Sequence, residues 1–250
     1  MNKVKEYFNA DPAAYHAKYQ AATAEGYAFR VRQESLLKLL GPGHGQLLDI
    51  GCGPGVMTTK IRALGWHYLG IDLAPEMIRL AISKFKNDSQ INFKVGSVDK
   101  LELADNSFDA IVAMGLVEYL DHEAVALAEI RRVLKPDGRL LISVPNWWSP
   151  ARMWDRWLLT PLAKLYRWLT GRGPSNKLHH REYKIKSYIG FLQSQGYKTR
   201  SWETYNYRII PRPFDFWWPK LAIITASWAE RYLAKIWCLG TSINLEVEKL

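Results

Sequence analysis

Apolar and polar positions along most of the chain alternate between short strand-like runs and longer runs with helical spacing. Before residue 41 the spacing predicts helices, and the Gly-Pro-Gly at 41–43 ends the last of them. Five strands are then predicted, at residues 46–50, 68–72, 91–95, 110–114 and 139–144. Strands that alternate with helices form parallel sheets, so the pattern predicts an α/β fold.

The regular alternation stops after Pro145, where an aromatic and basic stretch begins. A helix at 185–195 and strands at 198–207 and 241–249 complete the pattern and bring the number of strands to seven. We therefore predict a Rossmann-like, seven-stranded and mostly parallel sheet with helices on both faces. The aromatic, basic segment is predicted to be a helical insertion after strand five.

A chain of 250 residues suits one elaborated domain better than two independent ones. Within a single domain over 1–250 we expect N-terminal helices at 1–44 and a cofactor-binding core at 45–146. Helical lid segments or insertions are expected at 147–180 and 208–238. The remaining core is expected at 181–207 and 239–250.

The net charge of +10 arises entirely in the C-terminal part of the chain. Residues 1–146 hold 17 basic and 17 acidic side chains, whereas residues 147–250 hold 17 basic and 7 acidic ones. Ten of the eleven tryptophans also lie after residue 146. This combination indicates contact with an anionic ligand or with an anionic membrane surface.

Two cysteines and an N-terminus without an apolar signal core predict a reducing, cytoplasmic setting. The apolar runs are too short to span a membrane, so a membrane contact would be peripheral and on its inner face. The sequence predicts no metal site, and it leaves the oligomeric state open.

The loop from Asp49 to Gly55, DIGCGPG, follows a predicted strand and opens a predicted helix. Glycines at such a place let a ligand approach backbone N–H groups closely. The spacing G-x-G-x-G differs from the dinucleotide fingerprint, because Val56 stands where that fingerprint needs glycine or alanine. Asp72 ends the next predicted strand, 21 residues after Gly51, where a carboxylate can accept hydrogen bonds from ribose hydroxyls.

Several segments carry a family resemblance: LLDIGCGPG, GIDLAPEMI, VGSVDKLELADNSFDAIVAMGLVEYL and EIRRVLKPDGRLLISVPN. Residues 45–146 closely resemble the class I S-adenosylmethionine-dependent methyltransferase family, of the small-molecule type. HHREYKIKSYIGFLQSQGYK and GTSINLEVEKL resemble later blocks of that family more loosely, including its quinone-biosynthesis members. The resemblance implies S-adenosyl-L-methionine as cofactor.

The resemblance also implies a set of cofactor-binding residues: Asp49, Gly51, Cys52, Gly53, Gly55, Asp72, Leu73, Ser97, Val98 and Met114. Asp49 would lie near the methionyl ammonium group, Asp72 would bind the ribose, and Leu73 would border the adenine. Many relatives place an acid directly after the glycine that Gly96 matches, but this chain has Ser97 there. Adenine recognition therefore departs from the family pattern.

Methyl transfer from a sulfonium needs orientation, and it needs a base only when the nucleophile carries a proton. His180 is the preferred base, with solvation of its ring as the alternative, and Tyr119 is a second candidate. Further candidates follow strands four and five: Glu118, His122, His179 and Tyr183. Tyr15, Tyr19 and Arg32 can close over the methionyl carboxylate from the N-terminal helices.

Residues 153–169 have the spacing of an amphipathic basic helix with a kink at Pro161, and residues 214–237 repeat its tryptophan-rich character. Both the role of an acceptor lid and that of a membrane-binding surface remain open. We expect methylation, favouring oxygen over nitrogen or carbon, of a hydrophobic or amphiphilic, lipid-like small molecule.

Two alternatives remain. The basic charge also suits a nucleic-acid methyltransferase, although the sequence after strand four, Met-Gly-Leu-Val at 114–117, lacks the N/D-P-P-Y/F/W motif of enzymes that methylate exocyclic amines. A protein that binds the cofactor without catalysis and acts as a membrane-associated module is the other.

Overall fold

A sheet of seven strands lies at the centre of the computed structural model, which describes residues 2–86, 88–173, 178, 180–233, 236 and 238–250. The strands are β1 (Gln46–Ile50), β2 (His67–Asp72), β3 (Ile91–Val95), β4 (Phe108–Ala113), β5 (Leu134–Pro145), β6 (Tyr197–Tyr205) and β7 (Ser242–Lys249). Their order across the sheet is β3-β2-β1-β4-β5-β7-β6, and β7 runs antiparallel to both of its neighbours. The other neighbouring pairs are parallel, so the predicted Rossmann-like α/β fold is confirmed.

Helices precede the sheet and cover both of its faces. They are α1 (Asn2–Ala10), α2 (Pro12–Gln20), α3 (Ala24–Leu40), α4 (Thr58–Ala63), α5 (Pro75–Lys84), α6 (Glu123–Val133), α7 (Pro150–Trp154), α8 (Thr160–Leu169), α9 (Ile185–Ser194), α10 (Phe214–Trp217) and α11 (Pro219–Tyr232). The side chains of Asp11 and Thr23 cap α2 and α3 by accepting backbone N–H groups of Ala14 (2.8 Å) and Gly26 (3.1 Å).

The apolar core has two parts, one on each face of the sheet. Successive residues of β4 alternate between them: Ile111 packs in the cluster that contains Leu127 of α6, and Val112 in the one that contains Leu36 of α3. All four side chains are fully buried. Burial on both faces explains why the central strands are apolar runs without polar alternation.

The fifth strand begins earlier than predicted, at Leu134 instead of Arg139. Leu134 pairs with Phe108 of β4, while Arg139 pairs with Ala110, so residues 135–138 form an irregularity in the pairing. The predicted turn at 135–138 is therefore built into the strand. Its Pro-Asp-Gly composition indicates a turn, and pairing of the flanking residues with β4 decides the outcome.

The insertion after β5 is helical from Pro150 to Leu169, and a π-helical turn at Asp155–Leu159 joins α7 to α8. Pro161 has no N–H to offer the carbonyl four residues earlier, and the wider turn lies where this hydrogen bond is missing. The position agrees with the irregularity predicted at Pro161. None of the helices in the described ranges is long and apolar enough to cross a membrane.

Replacing an isoleucine should cost much more stability in the buried core than on the surface of a helix. Ile111→Ala should lower the free energy of unfolding by about 2–5 kcal/mol, because it leaves a cavity between β4 and α6. Ile224→Ala is the matched control: Ile224 is 65% exposed on α11, so the loss should be within about 0.5 kcal/mol. Urea denaturation measures both, and equal losses would contradict this description of the core.

Candidate functional site

The glycine loop turns sharply where β1 ends. Gly51 and Gly53 have φ angles of +74° and +53°, in the left-handed region that L side chains rarely adopt. The backbone N–H groups of Gly51 and Cys52 both donate to the carbonyl of Ile71, at 2.7 and 3.2 Å. The loop is thereby attached to the last residues of β2.

Asp72, the last residue of β2, holds this arrangement through its carboxylate. One oxygen accepts the N–H of Gly53 and the other accepts the N–H of Ala74, each at 2.8 Å. Burial raises the pKa of Asp72, while these backbone donors work in the opposite direction. A carboxylate has about four lone-pair positions, so acceptor capacity remains for hydroxyl groups of a ligand.

A cleft of about 750 Å³, which includes its open mouth, lies along the carboxyl ends of β1, β2 and β4; we call it the cofactor cleft. Six of the ten predicted cofactor-binding residues line it: Gly51, Gly53, Asp72, Leu73, Val98 and Met114. Four separate segments of sequence, which lie at or after the ends of β1, β2, β3 and β4, therefore meet in one cleft, as the ligand site of a parallel sheet requires.

The other four predicted residues do not line the cleft. The carboxylate of Asp49 accepts a hydrogen bond from the hydroxyl of Tyr68 at 2.6 Å, and burial raises the pKa of Asp49 to about 7. Cys52 is buried, and burial raises the pKa of its thiol. A Cβ at Gly55 would point towards aromatic rings, and the hydroxyl of Ser97 accepts a backbone N–H two residues later. The contacts of these four residues are therefore made within the protein, to neighbouring side chains and backbone.

The N-terminal helices form one wall of the cofactor cleft. Val4, Lys5 and Phe8 of α1 line it together with Tyr15 of α2. The ring of Phe8 meets those of Tyr15 and Tyr119 edge-on, with centroids 5.5 and 5.9 Å apart. Tyr15 was predicted for this wall, but the residues of α1 were not, because helical periodicity shows an apolar face without showing what that face covers.

A second cavity, of about 450 Å³, adjoins the first; we call it the polar pocket. It is lined by Arg32, Glu118, Tyr119, Ser143, Val144, Pro145, Arg152, His180, Tyr205 and Ser242. Tyr119 lines both cavities, so the two predicted catalytic residues, His180 and Tyr119, lie in one pocket beside the cofactor cleft. His122 and Tyr183 do not line it, and His179 lies outside the described residues.

Glu118 is the buried acid of the polar pocket. Burial raises the pKa of its carboxyl, and the guanidinium groups of Arg32 and Arg152 partly oppose this. Its Oε2 atom is buried without a hydrogen-bond partner among the described residues. Burial also raises the pKa of Tyr119 to about 12, so that this hydroxyl stays protonated and can donate.

His180 is held by an arginine. Its Nε2 atom lies 3.2 Å from Nη1 of Arg152. A guanidinium can only donate, so the ring nitrogen is the acceptor and the imidazole is neutral in this arrangement. Protonation at Nε2 would break this hydrogen bond and place two cations side by side.

Four polar residues of the pocket were not predicted: Ser143, Arg152, Tyr205 and Ser242. Tyr205 ends β6, and Ser242 begins β7, which is antiparallel to β5. The start of β7 therefore lies at the same edge of the sheet as the end of β5, and strand direction alone could have indicated both residues.

Residues 48–142 match a family model described as a methyltransferase domain. Residues 48–142 therefore form a methyltransferase domain. The prediction of the family and of S-adenosylmethionine as its cofactor is confirmed. The matched residues include most of the glycine loop, Asp72 and β4.

Curated methyltransferases are similar in sequence to about half of the chain. A ubiquinone biosynthesis O-methyltransferase of Xanthomonas axonopodis pv. citri (strain 306) is 32% identical over 118 residues, which are 46% of this chain and 49% of that protein. The chain thus spans about half the length of the curated relatives it matches.

Solved methyltransferases share the fold over nearly the whole chain. Magnesium protoporphyrin IX methyltransferase from Synechocystis PCC 6803, solved with bound SAH, has a TM-score of 0.64 at 16% identity and covers 99% of this chain and 98% of its own. The Burkholderia thailandensis 1,6-didemethyltoxoflavin-N1-methyltransferase has a TM-score of 0.61 at 17% identity, with 99% and 88% covered. At this level of identity the likeness concerns the fold alone.

The contacts of Asp72 predict its contribution to cofactor affinity. Asp72→Ala should weaken S-adenosylmethionine binding about 10- to 100-fold, because hydrogen bonds to a charged group contribute about 1.5–3 kcal/mol. Calorimetric titration measures the change. Asp137→Ala, at an exposed position on the strand irregularity, is the control and should bind as the parent does. Unchanged binding by Asp72→Ala would contradict the assigned site.

Proposed function

We propose that the chain transfers the methyl group of S-adenosylmethionine to an oxygen of an amphiphilic small molecule bound in the polar pocket. The observation that supports this proposal is the position of Tyr119, which lines both the polar pocket and the cofactor cleft, so the two cavities are adjacent. An acceptor in the pocket would lie next to the cofactor, which is the main requirement for an in-line displacement.

The polar lining of the pocket favours an acceptor that loses a proton. Bound S-adenosylmethionine would supply a methyl group already activated by a sulfonium. The protein would hold the acceptor oxygen in line with this group, so that a C–O bond forms as the C–S bond breaks. The Tyr119 hydroxyl can donate a hydrogen bond to the acceptor, and the hydroxyl proton of the acceptor passes to a base in the pocket.

We assign the role of base to Glu118 and an orienting role to His180, which the sequence alone favoured as base. The unpartnered Oε2 of Glu118 is ready to accept a proton, and a raised pKa makes its carboxylate more basic. Nε2 of His180 is already engaged by Arg152. A neutral imidazole fixed in this way can position an anion or a hydroxyl group.

Oxygen as the methylated atom is supported by similar proteins that are named ubiquinone biosynthesis O-methyltransferases. An amphiphilic acceptor is supported by two neighbouring features: the polar lining of the pocket, and the apolar side chains that α8 and α11 expose. α8 buries none of its residues, and α11 buries only Ala222, Ala226 and Ala229.

The exposed face of α8 fits an anionic membrane surface. Trp168 and Leu169 are 77% and 68% exposed, and Lys164 and Arg167 lie among these apolar residues. The helix carries no acidic residue. Tryptophan with lysine or arginine is the combination that binds at the headgroup level of anionic lipid, so we propose that the chain docks there to reach its acceptor.

Replacing the proposed base tests the chemistry. With labelled S-adenosylmethionine and a total lipid extract as the source of acceptor, Glu118→Gln should lower the transfer rate at least about 100-fold. Only the carboxylate form of Glu118 accepts a proton, so the rate of the parent protein should fall as the pH falls through the raised pKa of Glu118. Glu118→Gln should not show this decrease at low pH. His180→Gln should lower the rate less and should keep the decrease at low pH. The reverse pattern would return the role of base to His180.

Co-sedimentation with vesicles tests the membrane surface. Binding to vesicles that contain anionic lipid should exceed binding to neutral ones, and Trp168→Ala should weaken it about tenfold, because burial of one large apolar side chain contributes about 1.5–3 kcal/mol. Trp202→Ala is the control, since Trp202 is 42% exposed but lies on β6. Equal, negligible binding to both vesicle types would contradict the proposal.

A further inference from the structure

A basic groove leads outward from the polar pocket between the insertion and the segment that follows β6. It encloses about 1400 Å³, including its open mouth. Five arginines line it: Arg152, Arg156, Arg181, Arg208 and Arg212. We call it the arginine groove. Arg152 and His180 line both the groove and the polar pocket, so the two spaces are continuous.

Acidic side chains lie within 4.0 Å of four of these arginines. Glu182 accepts from two arginines, Arg152 at 3.3 Å and Arg156 at 2.9 Å. Asp155 lies 3.2 Å from Arg208, and Asp215, which does not line the groove, is 4.0 Å from the same guanidinium. Glu123 is 3.7 Å from Arg181. Among the described residues, five guanidinium groups therefore face four carboxylates.

Arg156 is held in place without all of its hydrogen bonds being satisfied. Its guanidinium lies 3.6 Å above the ring centroid of Trp147, and Nη2 donates to the carbonyl of the same residue at 2.9 Å. Nε and Nη1 are buried and have no hydrogen-bond partner in the described parts of the chain. Stacking fixes a planar guanidinium in advance of binding, and its free donors then suit a planar or tetrahedral oxyanion.

Arg208 is a largely buried cation of the groove. Its side chain is only 15% exposed. Burial lowers the pKa of its guanidinium and repulsion by Arg212 and Arg152 lowers it further, while Asp155 and Asp215 work in the opposite direction. Buried cations that repel one another are unfavourable unless anions balance them, so Arg208 depends on negative charge beside it.

We propose that the arginine groove binds a phosphate group carried by the methyl acceptor, while the reacting oxygen of that acceptor lies in the polar pocket. This inference rests on the proposed function. A phosphate offers three acceptor oxygens and up to two negative charges, which several guanidinium groups can bind at once. The size of the groove and its opening towards the exposed helices leave room for an apolar portion of the same molecule.

Calorimetric titration with inorganic pyrophosphate tests the site. Saturating S-adenosylhomocysteine is present throughout, so that the cofactor cleft is filled. Arg208→Gln and the exposed Arg212→Gln should each raise the dissociation constant at least about tenfold. Arg79→Gln, at a 75% exposed position on α5, should leave it unchanged. Arg212 has no part in the core, so its variant keeps the test decisive if Arg208→Gln does not fold.

Absence of pyrophosphate binding at millimolar concentration would overturn the inference, as would an equal loss in the Arg79→Gln control. S-adenosylhomocysteine binding separates this failure from that of the proposed function. If the parent binds S-adenosylhomocysteine but no pyrophosphate, only the groove proposal fails. If the parent does not bind S-adenosylhomocysteine, the proposed function fails first.

Two phosphate monoesters distinguish the sources of the phosphate. Glycerol 3-phosphate and dioctanoyl phosphatidic acid share the headgroup and differ in their acyl chains. Binding of both with equal affinity, weakened by Arg212→Gln, supports a water-soluble phosphate ester as acceptor. Tighter binding of the phosphatidic acid, with the same dependence on Arg212, supports a phospholipid-like acceptor. Binding of neither contradicts the proposal.

Discussion

Two backbone N–H groups converge on the carboxylate of Asp72, one from the glycine loop after β1 and one from the turn after β2. A buried carboxylate is unfavourable unless it accepts hydrogen bonds, and the loop supplies one of them only when Gly53 adopts its left-handed backbone. The loop, the end of β2 and the ionised acid therefore stabilise one another. The shape of the cofactor cleft, and with it the position of the transferred methyl group, depends on this arrangement.

The remaining parts of the site extend from that cleft along one edge of the sheet. Tyr119 lines both the cofactor cleft and the polar pocket, and Arg152 and His180 line both the polar pocket and the arginine groove. An acceptor that spans this series would have its reacting oxygen beside Glu118, an anionic group among the arginines and its apolar part towards α8 and α11. Such an acceptor would account for both the positive charge and the exposed tryptophans in the C-terminal part of the chain.

The sheet and the glycine loop could be predicted because their signals are local. β1 and β3 have the predicted bounds, since turns flank both: β1 is a mostly buried apolar run, and β3 is an exposed edge strand in which apolar and polar residues alternate. The irregular start of β5 could not be predicted, because its pairing with Phe108 overrides a strong turn sequence. The cleft residues of α1, and Arg152, also escaped prediction. Their roles come from tertiary contacts between segments far apart in sequence, and Asp49 faces Tyr68 for the same reason.

The most direct test of this account is a crystal structure of the chain with S-adenosylmethionine and the distance from its methyl carbon to the polar pocket. The account predicts ribose hydroxyls on the carboxylate of Asp72 and a methyl group that points past Tyr119 towards Glu118. A cofactor bound elsewhere, or one whose methyl group points to solvent and away from Tyr119, would contradict it.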